Sequence, residues 1–142
     1  MDLICNYMHR GTVTCRLDDT AQDVAELMND NQIRTVVVVD ERGGFWGVIS
    51  VLDLLPVIGK NLGKVRAEDL MQPCQFTVDP QLPINEAVAL MDKHQVEYLV
   101  IGSEGMPEKR PVGILTSYDI VRCMARINVG HTSVGPLKLA AV

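Results

Sequence analysis

The sequence predicts a mixed α/β (α+β) fold made of two β-α-β-β-α repeats, and three observations in its 142 residues carry that prediction. An internal repeat runs along most of the chain. Each half alternates strand and helix patterning in the same order, and one strand-to-helix motif occurs in both halves at the same place. Tyr7-Met8 aligns with Leu70-Met71 at an offset of 63, which also matches Thr14 with Thr77, Leu27-Met28 with Leu90-Met91, Gln32 with Gln95 and Val37 with Val100. Beyond the next loop the offset becomes 66, pairing Gly47 with Gly113 and Asp53 with Asp119. The second repeat therefore holds three additional loop residues, assigned to Glu108-Lys109-Arg110.

A β-prone stretch opens each repeat, Val13-Thr14-Cys15 in the first and Phe76-Thr77-Val78 in the second. A helix follows, because apolar residues recur at i, i+3, i+4 and i+7: Ala21, Val24, Ala25 and Met28, then Ile84, Ala87, Val88 and Met91. Thr20-x-x-Asp23 opens the first helix as a capping box, and Pro83 suits the opening turn of the second. Two strands come next in each repeat, Thr35 to Asp40 with Phe45 to Ile49, and Tyr98 to Gly102 with Val112 to Leu115. The loops between them, 41–44 and 103–111, are short enough for hairpins. A second helix then begins at Ser50 or Thr116. Val51, Leu52, Leu54, Leu55, Val57 and Ile58 make the first of these apolar almost all round, and Ile120, Val121, Cys123, Met124, Ala125 and Ile127 do nearly the same for the other. Such helices want burial on two sides, one against their own sheet and one against the sister repeat or another subunit, which predicts a homodimer joined through these segments. Gly59 to Lys64 reads as a connector and Val65 to Met71 as the lead-in to the second repeat. The predicted organisation is a first repeat with its connector over 1–62, a second repeat over 63–128, and an irregular tail over 129–142.

Hydrophobic residues make up 47% of the chain and aromatics only 4%, so aliphatic side chains must build the core. Thirteen basic against eighteen acidic residues give a net charge of −5, which argues against nucleic acid as a partner. The first residues lack the basic and apolar regions of a signal peptide, and apolar runs such as Val36 to Val39 fall far short of a membrane span. A cytoplasmic protein with no membrane partner is expected. The four cysteines (Cys5, Cys15, Cys74, Cys123) show no C-x-x-C spacing and the histidines (His9, His94, His131) are scattered, so free thiols and no metal site are expected. No nucleophile, base and oxyanion set assembles from the sequence, and the glycines form neither a dinucleotide fingerprint nor a P-loop. The chain does not read as an enzyme.

The repeated motif is Gly-h-h-[Ser/Thr]-x-x-Asp, with h apolar: Gly47-Val48-Ile49-Ser50-Val51-Leu52-Asp53 and Gly113-Ile114-Leu115-Thr116-Ser117-Tyr118-Asp119. Ser/Thr-x-x-Asp at such a junction is a capping box, worth about 0.5–2 kcal/mol. A hydroxyl and free amides at a helix start also suit a phosphate, and the Asp suits a ribose diol. The two roles are compatible.

With the repeats around it, this pattern resembles a tandem pair of cystathionine β-synthase (CBS) domains, the Bateman module, over nearly all of residues 1–128. Met8, Met71 and the strand from Val36 to Asp40 also match that family. The chain departs from it at Val37 and Val100, where a proline is common, and at Gly102-Ser103, where a hydrophobe and Asp are usual. The resemblance implies repeats related by a pseudo-two-fold axis and two clefts between them that accept AMP, ADP, ATP, S-adenosylmethionine or related molecules as regulatory ligands, with no required cofactor. It implies that Ser50 and Thr116 face phosphate or ribose, that Asp53 and Asp119 face the ribose hydroxyls, and that Ile33-Arg34-Thr35 and Val96-Glu97-Tyr98 line base or phosphate. A ligand-sensing module that signals to a regulated protein is thus one reading; a dimerisation scaffold whose motifs only cap helices is the other.

Overall fold

The computed structural model describes residues 3–6, 9–10, 12–73, 76–102 and 110–127. Its strands are β1 (His9–Arg10), β2 (Thr14–Arg16), β3 (Thr35–Val39), β4 (Phe45–Ser50), β5 (Gln72–Pro73), β6 (Tyr98–Gly102) and β7 (Pro111–Thr116). Its helices are α1 (Ala21–Asn31), α2 (Val51–Leu54), α3 (Ala67–Leu70), α4 (Ile84–His94) and α5 (Ser117–Ile127). The C-terminal tail, Cys74, His131, Met8 and Glu108-Lys109 lie outside the described residues.

Helices α1 and α4 occupy matched positions and are each 11 residues long. The Thr20 hydroxyl accepts from the Asp23 amide at 3.1 Å while the Thr20 amide donates to the Asp23 carboxylate at 3.0 Å, so the capping box closes in both directions. Both helices stop at a glutamine in left-handed conformation, Gln32 at φ 54° and Gln95 at φ 53°. That conformation costs a non-glycine residue about 1–2 kcal/mol. Each glutamine offsets the cost by donating its side-chain amide back to the helix end, to the Asn29 carbonyl at 2.8 Å and the Asp92 carbonyl at 2.7 Å. The buried stripe of α4 runs one residue away from its expected course: Val88 is 46% exposed, and Ile84, Ala87, Leu90 and Met91 face the core instead.

The strands form two sheets, β2-β3-β4-β5 and β1-β7-β6. Thr35 pairs with Ser50 and Tyr98 with Thr116 at matched points of the two hairpins, and both hairpins carry a register shift at their far end, after Val38 and after Ile101. The expected opening strand of the second repeat is reduced to a parallel bridge between Val78 and Ile101. The turn that follows is shared by both repeats, the Leu82 amide on the Asp79 carbonyl at 3.0 Å matching the Asp19 amide on the Arg16 carbonyl at 3.1 Å.

Each repeat's lead-in crosses to the other repeat. β5 lies in the opening part of the second repeat but pairs with β4 of the first, while β1 of the first pairs with β7 of the second. The exchange is reciprocal to the residue. Leu3 bridges Pro83 as Arg66 bridges Thr20, and the Ile4 amide reaches the Leu82 carbonyl at 2.9 Å as the Ala67 amide reaches the Asp19 carbonyl at 2.7 Å. Ile4 and Ala67 are both fully buried, Ile4 in the core of the second unit and Ala67 in that of the first.

The valine run of β3 is buried on both faces, as its continuous apolar pattern requires. Val36 and Val38 pack with α1 and α3 residues such as Val24, Met28 and Leu70. Val37 and Val39 face the other way, into a small core between the sheets that also holds Val48, Val100, Phe45, Tyr98 and Ile114. Leu99 and Ile101 turn toward α4. Val37 and Val100 thus meet near the pseudo-two-fold axis relating the repeats.

The second helices differ. α5 has 11 residues, but α2 has four and tightens into a 3-10 turn at Leu55–Val57, because Pro56 supplies no amide for the next helical hydrogen bond. The expected helix through Ile58 is therefore cut short. The apolar face of these segments stays open on the single chain: Leu52, Leu55 and Ile58 are 70%, 57% and 83% exposed, and their matched residues Tyr118, Val121 and Met124 are 67%, 55% and 56% exposed. The sister repeat does not cover them. No helix of the described residues is long and apolar enough to cross a membrane.

Candidate functional site

The two copies of the motif sit at the ends of β4 and β7. In the first, the Ser50 amide and hydroxyl both donate to one carboxylate oxygen of Asp53, at 2.8 and 3.1 Å. In the second, the Thr116 amide and hydroxyl donate to Asp119 at 2.9 Å each, and the Asp119 amide returns a bond to the Thr116 hydroxyl at 3.2 Å. Hairpin register brings the second group of expected site residues to the same place, since Thr35 lies opposite Ser50 and Tyr98 opposite Thr116. The Val51 amide donates to the Arg34 carbonyl at 3.0 Å, and the Ser117 amide to the Glu97 carbonyl at 2.8 Å. Ser50, Asp53, Arg34 and Thr35 therefore form one constellation and Thr116, Asp119, Glu97 and Tyr98 its counterpart. Ile33 and Val96 lie half-buried behind them, each tied by its amide at 3.0 Å to the preceding helix, at Met28 and Met91. Arg34 and Glu97 are exposed.

These bonds alter the reading of the helix starts as phosphate cradles. Two of the first three amides of α5, those of Ser117 and Asp119, are committed within the protein, and α2 is too short for a useful dipole. Side chains, not free amides, are what each junction presents to a ligand.

The outer oxygens of the carboxylates have different partners. Asp53 accepts from the Gln72 side-chain amide at 3.0 Å, and Gln72 belongs to the exchanged strand β5. Asp119 accepts from the Arg122 guanidinium at 3.0 Å within its own helix. Gln72 is the neighbour of the candidate site that sequence reading missed. Its signal was present in Gly47: a Cβ there would stand 2.6 Å from the Gln72 carbonyl oxygen, so the motif glycine exists to let the exchanged strand approach. Gly113 likewise pairs with Arg10 of β1.

At the opposite end of the first sheet, a shallow groove of about 370 Å³ runs between Thr14, Arg16, Asp19, Asp40 and Gly43. Its polar groups are structural. Asp40 accepts from the Trp46 indole at 3.0 Å and from the Arg42 and Gly44 amides at 2.9 and 2.8 Å, and these bonds, the indole's foremost, hold its carboxyl below the usual value. Cys15 is a free, buried thiol pushed up to about 12, chiefly by burial and then by Asp19 and Asp23, which makes it a poor nucleophile. Cys123 is also free. His94 ends α4 and stacks on Phe76 at 4.9 Å.

The sheet order, the reciprocal exchange and the doubled junction define a paired-repeat module. The chain belongs to the CBS domain family, whose model matches residues 4–60 and again 67–126. It is 32% identical over 117 residues to the uncharacterized protein MK0525 of Methanopyrus kandleri, covering 80% of this chain and 58% of that protein. Identity to the L-aspartate semialdehyde sulfurtransferase of Methanosarcina acetivorans is 24% over 124 residues, covering 87% of this chain and 24% of that enzyme. The chain thus spans only part of the length of these curated relatives. Among solved structures, the CBS domain pair of protein MJ0100, determined in complex with 5′-methylthioadenosine and S-adenosyl-L-methionine, superposes with a TM-score of 0.76 at 23% identity, covering 87% of this chain and 99% of that one. An uncharacterized conserved protein from Pyrococcus horikoshii gives a TM-score of 0.75 at 22% identity, covering 87% and 95%. These two likenesses concern the fold.

Proposed function

We propose that the chain is a regulatory module that binds an adenosine-containing ligand, of the AMP, ADP, ATP or S-adenosylmethionine class, in clefts between its two CBS repeats. One observation carries the reading: each motif carboxylate stands where a strand exchanged from the other repeat crosses, and Asp53 is bonded across that boundary to Gln72. A ligand that takes Asp53 takes the place of the Gln72 amide, which belongs to the segment joining the repeats, so its binding free energy is coupled to how that segment is held. That dependence is what a sensor needs. Adenosine-type ligands in the solved pair of MJ0100 agree with this choice of chemistry. The exposed Arg34 beside Ser50 offers a bidentate partner for phosphate, whereas Glu97 at the matched position repels it. The role is regulatory rather than catalytic, because the hydroxyls and carboxylates of the motif serve binding and capping. A second copy of the chain is the proposed cover for the open face of Leu52, Leu55 and Ile58 and its counterpart Tyr118, Val121 and Met124, and a cytoplasmic location is proposed with it.

The scaffold reading draws on a different observation, that both carboxylates already satisfy capping bonds. Thermal shift with AMP, ADP, ATP and S-adenosylmethionine separates the two. A ligand held at 100 times its dissociation constant adds about 2.7 kcal/mol of stability. No shift with any of the four compounds leaves the scaffold.

A further inference from the structure

We infer that the two clefts are unequal and that only the first is open, because Arg122 fills the ligand's place on Asp119 from within the chain. The inference rests on the adenosine-binding reading above and specifies where that binding occurs. Asp119 is 1% exposed, and both its oxygens are engaged, one by the Thr116 amide and hydroxyl at 2.9 Å and the other by Arg122 at 3.0 Å. The guanidinium is held in turn over the Tyr118 ring, 5.4 Å from its centroid. Tyr118 and Arg122 are the second and sixth residues of the same helix, one before and three after Asp119, so the lock forms as soon as α5 does.

Asp53 is placed otherwise. It is half-buried, and its outer oxygen accepts from a neutral amide, Gln72, on another strand. A ribose hydroxyl replaces a neutral amide donor like for like. Replacing Arg122 exchanges a charge-assisted bond, roughly twice as strong, for a neutral one and leaves a buried carboxylate without its cation. The matched position also explains why the first repeat has no such lock: Arg122 corresponds to Pro56, which carries no donor and ends the helix. Glu97 at the rim of the second cleft adds repulsion toward phosphate.

Calorimetric titration of AMP, ATP and S-adenosylmethionine into the wild type, Arg122→Gln, Arg122→Lys, Asp53→Asn and Asp119→Asn tests this, with circular dichroism confirming the fold of each variant. The expected result is one site per wild-type chain, lost or weakened about ten-fold in Asp53→Asn and retained in Asp119→Asn. Arg122→Gln gains a second site, and Arg122→Lys, which keeps the cation, stays at one. Two sites in the wild type, or a folded Arg122→Gln that still binds once, overturns the inference and leaves the adenosine reading standing. Silence from every probe on wild type and Arg122→Gln alike overturns the adenosine reading and this inference with it.

Discussion

The two strand-to-helix junctions share residue types, register and hydrogen bonds, yet one ends in a four-residue helical turn and the other in an 11-residue helix. The difference begins at a single matched position. Pro56 stops α2, whereas Arg122 continues α5 and reaches back to Asp119. A repeat therefore preserves the geometry of a site more readily than its chemistry. Backbone pairing and the carboxylate cap depend on residues inside the motif; the charge and access of the carboxylate depend on residues a turn beyond it.

The largest test of this comparison strikes what the junctions share. Gly47→Val should destabilise by about 3 kcal/mol, since its side chain meets the Gln72 backbone, and urea unfolding should show it. Gly113→Val should cost a similar amount if the exchange of β1 equals that of β5. A much smaller loss in either variant would show that the exchanged strand adapts. Next come the carboxylates. Asp119→Asn should cost about 2 kcal/mol, because it removes a buried anion from both its cap and Arg122, whose own partial exposure moderates the loss. Asp53→Asn should cost about 1 kcal/mol, the value of the cap. Equal losses would erase the distinction drawn between the sites. Thr20→Ala should cost about 1 kcal/mol through α1, while α4, which starts at Pro83 without a side-chain cap, offers no counterpart to lose.

A pH effect belongs to the first repeat alone. The Cys15 thiol titrates near its ordinary 9.0 in the unfolded chain and at about 12 in the fold. Its neutral form supports folding fully below pH 9, and that support is lost as pH rises toward 12. Urea midpoints measured at about pH 8 and about pH 10.5 should fall more steeply in the wild type than in Cys15→Ala. Parallel slopes would show that the thiol is not shielded as its burial implies.

Much of this was legible before any coordinates. The offset of 63 residues between the repeats placed α1 against α4 and β3 against β6, because helical and strand periodicity are properties of neighbouring residues along the chain. It also matched Gln32 with Gln95, although only the backbone angles disclosed that these residues cap their helices. Thr20-x-x-Asp23 and both copies of Ser/Thr-x-x-Asp were readable as caps, since such bonds span three residues and depend on nothing farther away. Pro56 makes the truncation of α2 legible, although the apolar pattern around it points to a longer helix. Val88 was misplaced for a related reason: several apolar residues compete for one stripe, and packing against the sheet chooses among them.

What tertiary structure alone decided is the crossing of the lead-ins. Gln72 is 19 residues from Asp53 in sequence, and two residues of β5 are too few to show any periodicity. Their pairing with β4 rather than with their own repeat's sheet is settled by burial, with Ala67 and Ile4 each fully enclosed in the core to which its lead-in crosses. The same holds for access to the two carboxylates. The sequence by itself determined that both exist, at equivalent positions and with equivalent caps; which partner each outer oxygen takes follows from where Arg122 and Gln72 come to rest, a matter of packing distances that no local pattern encodes.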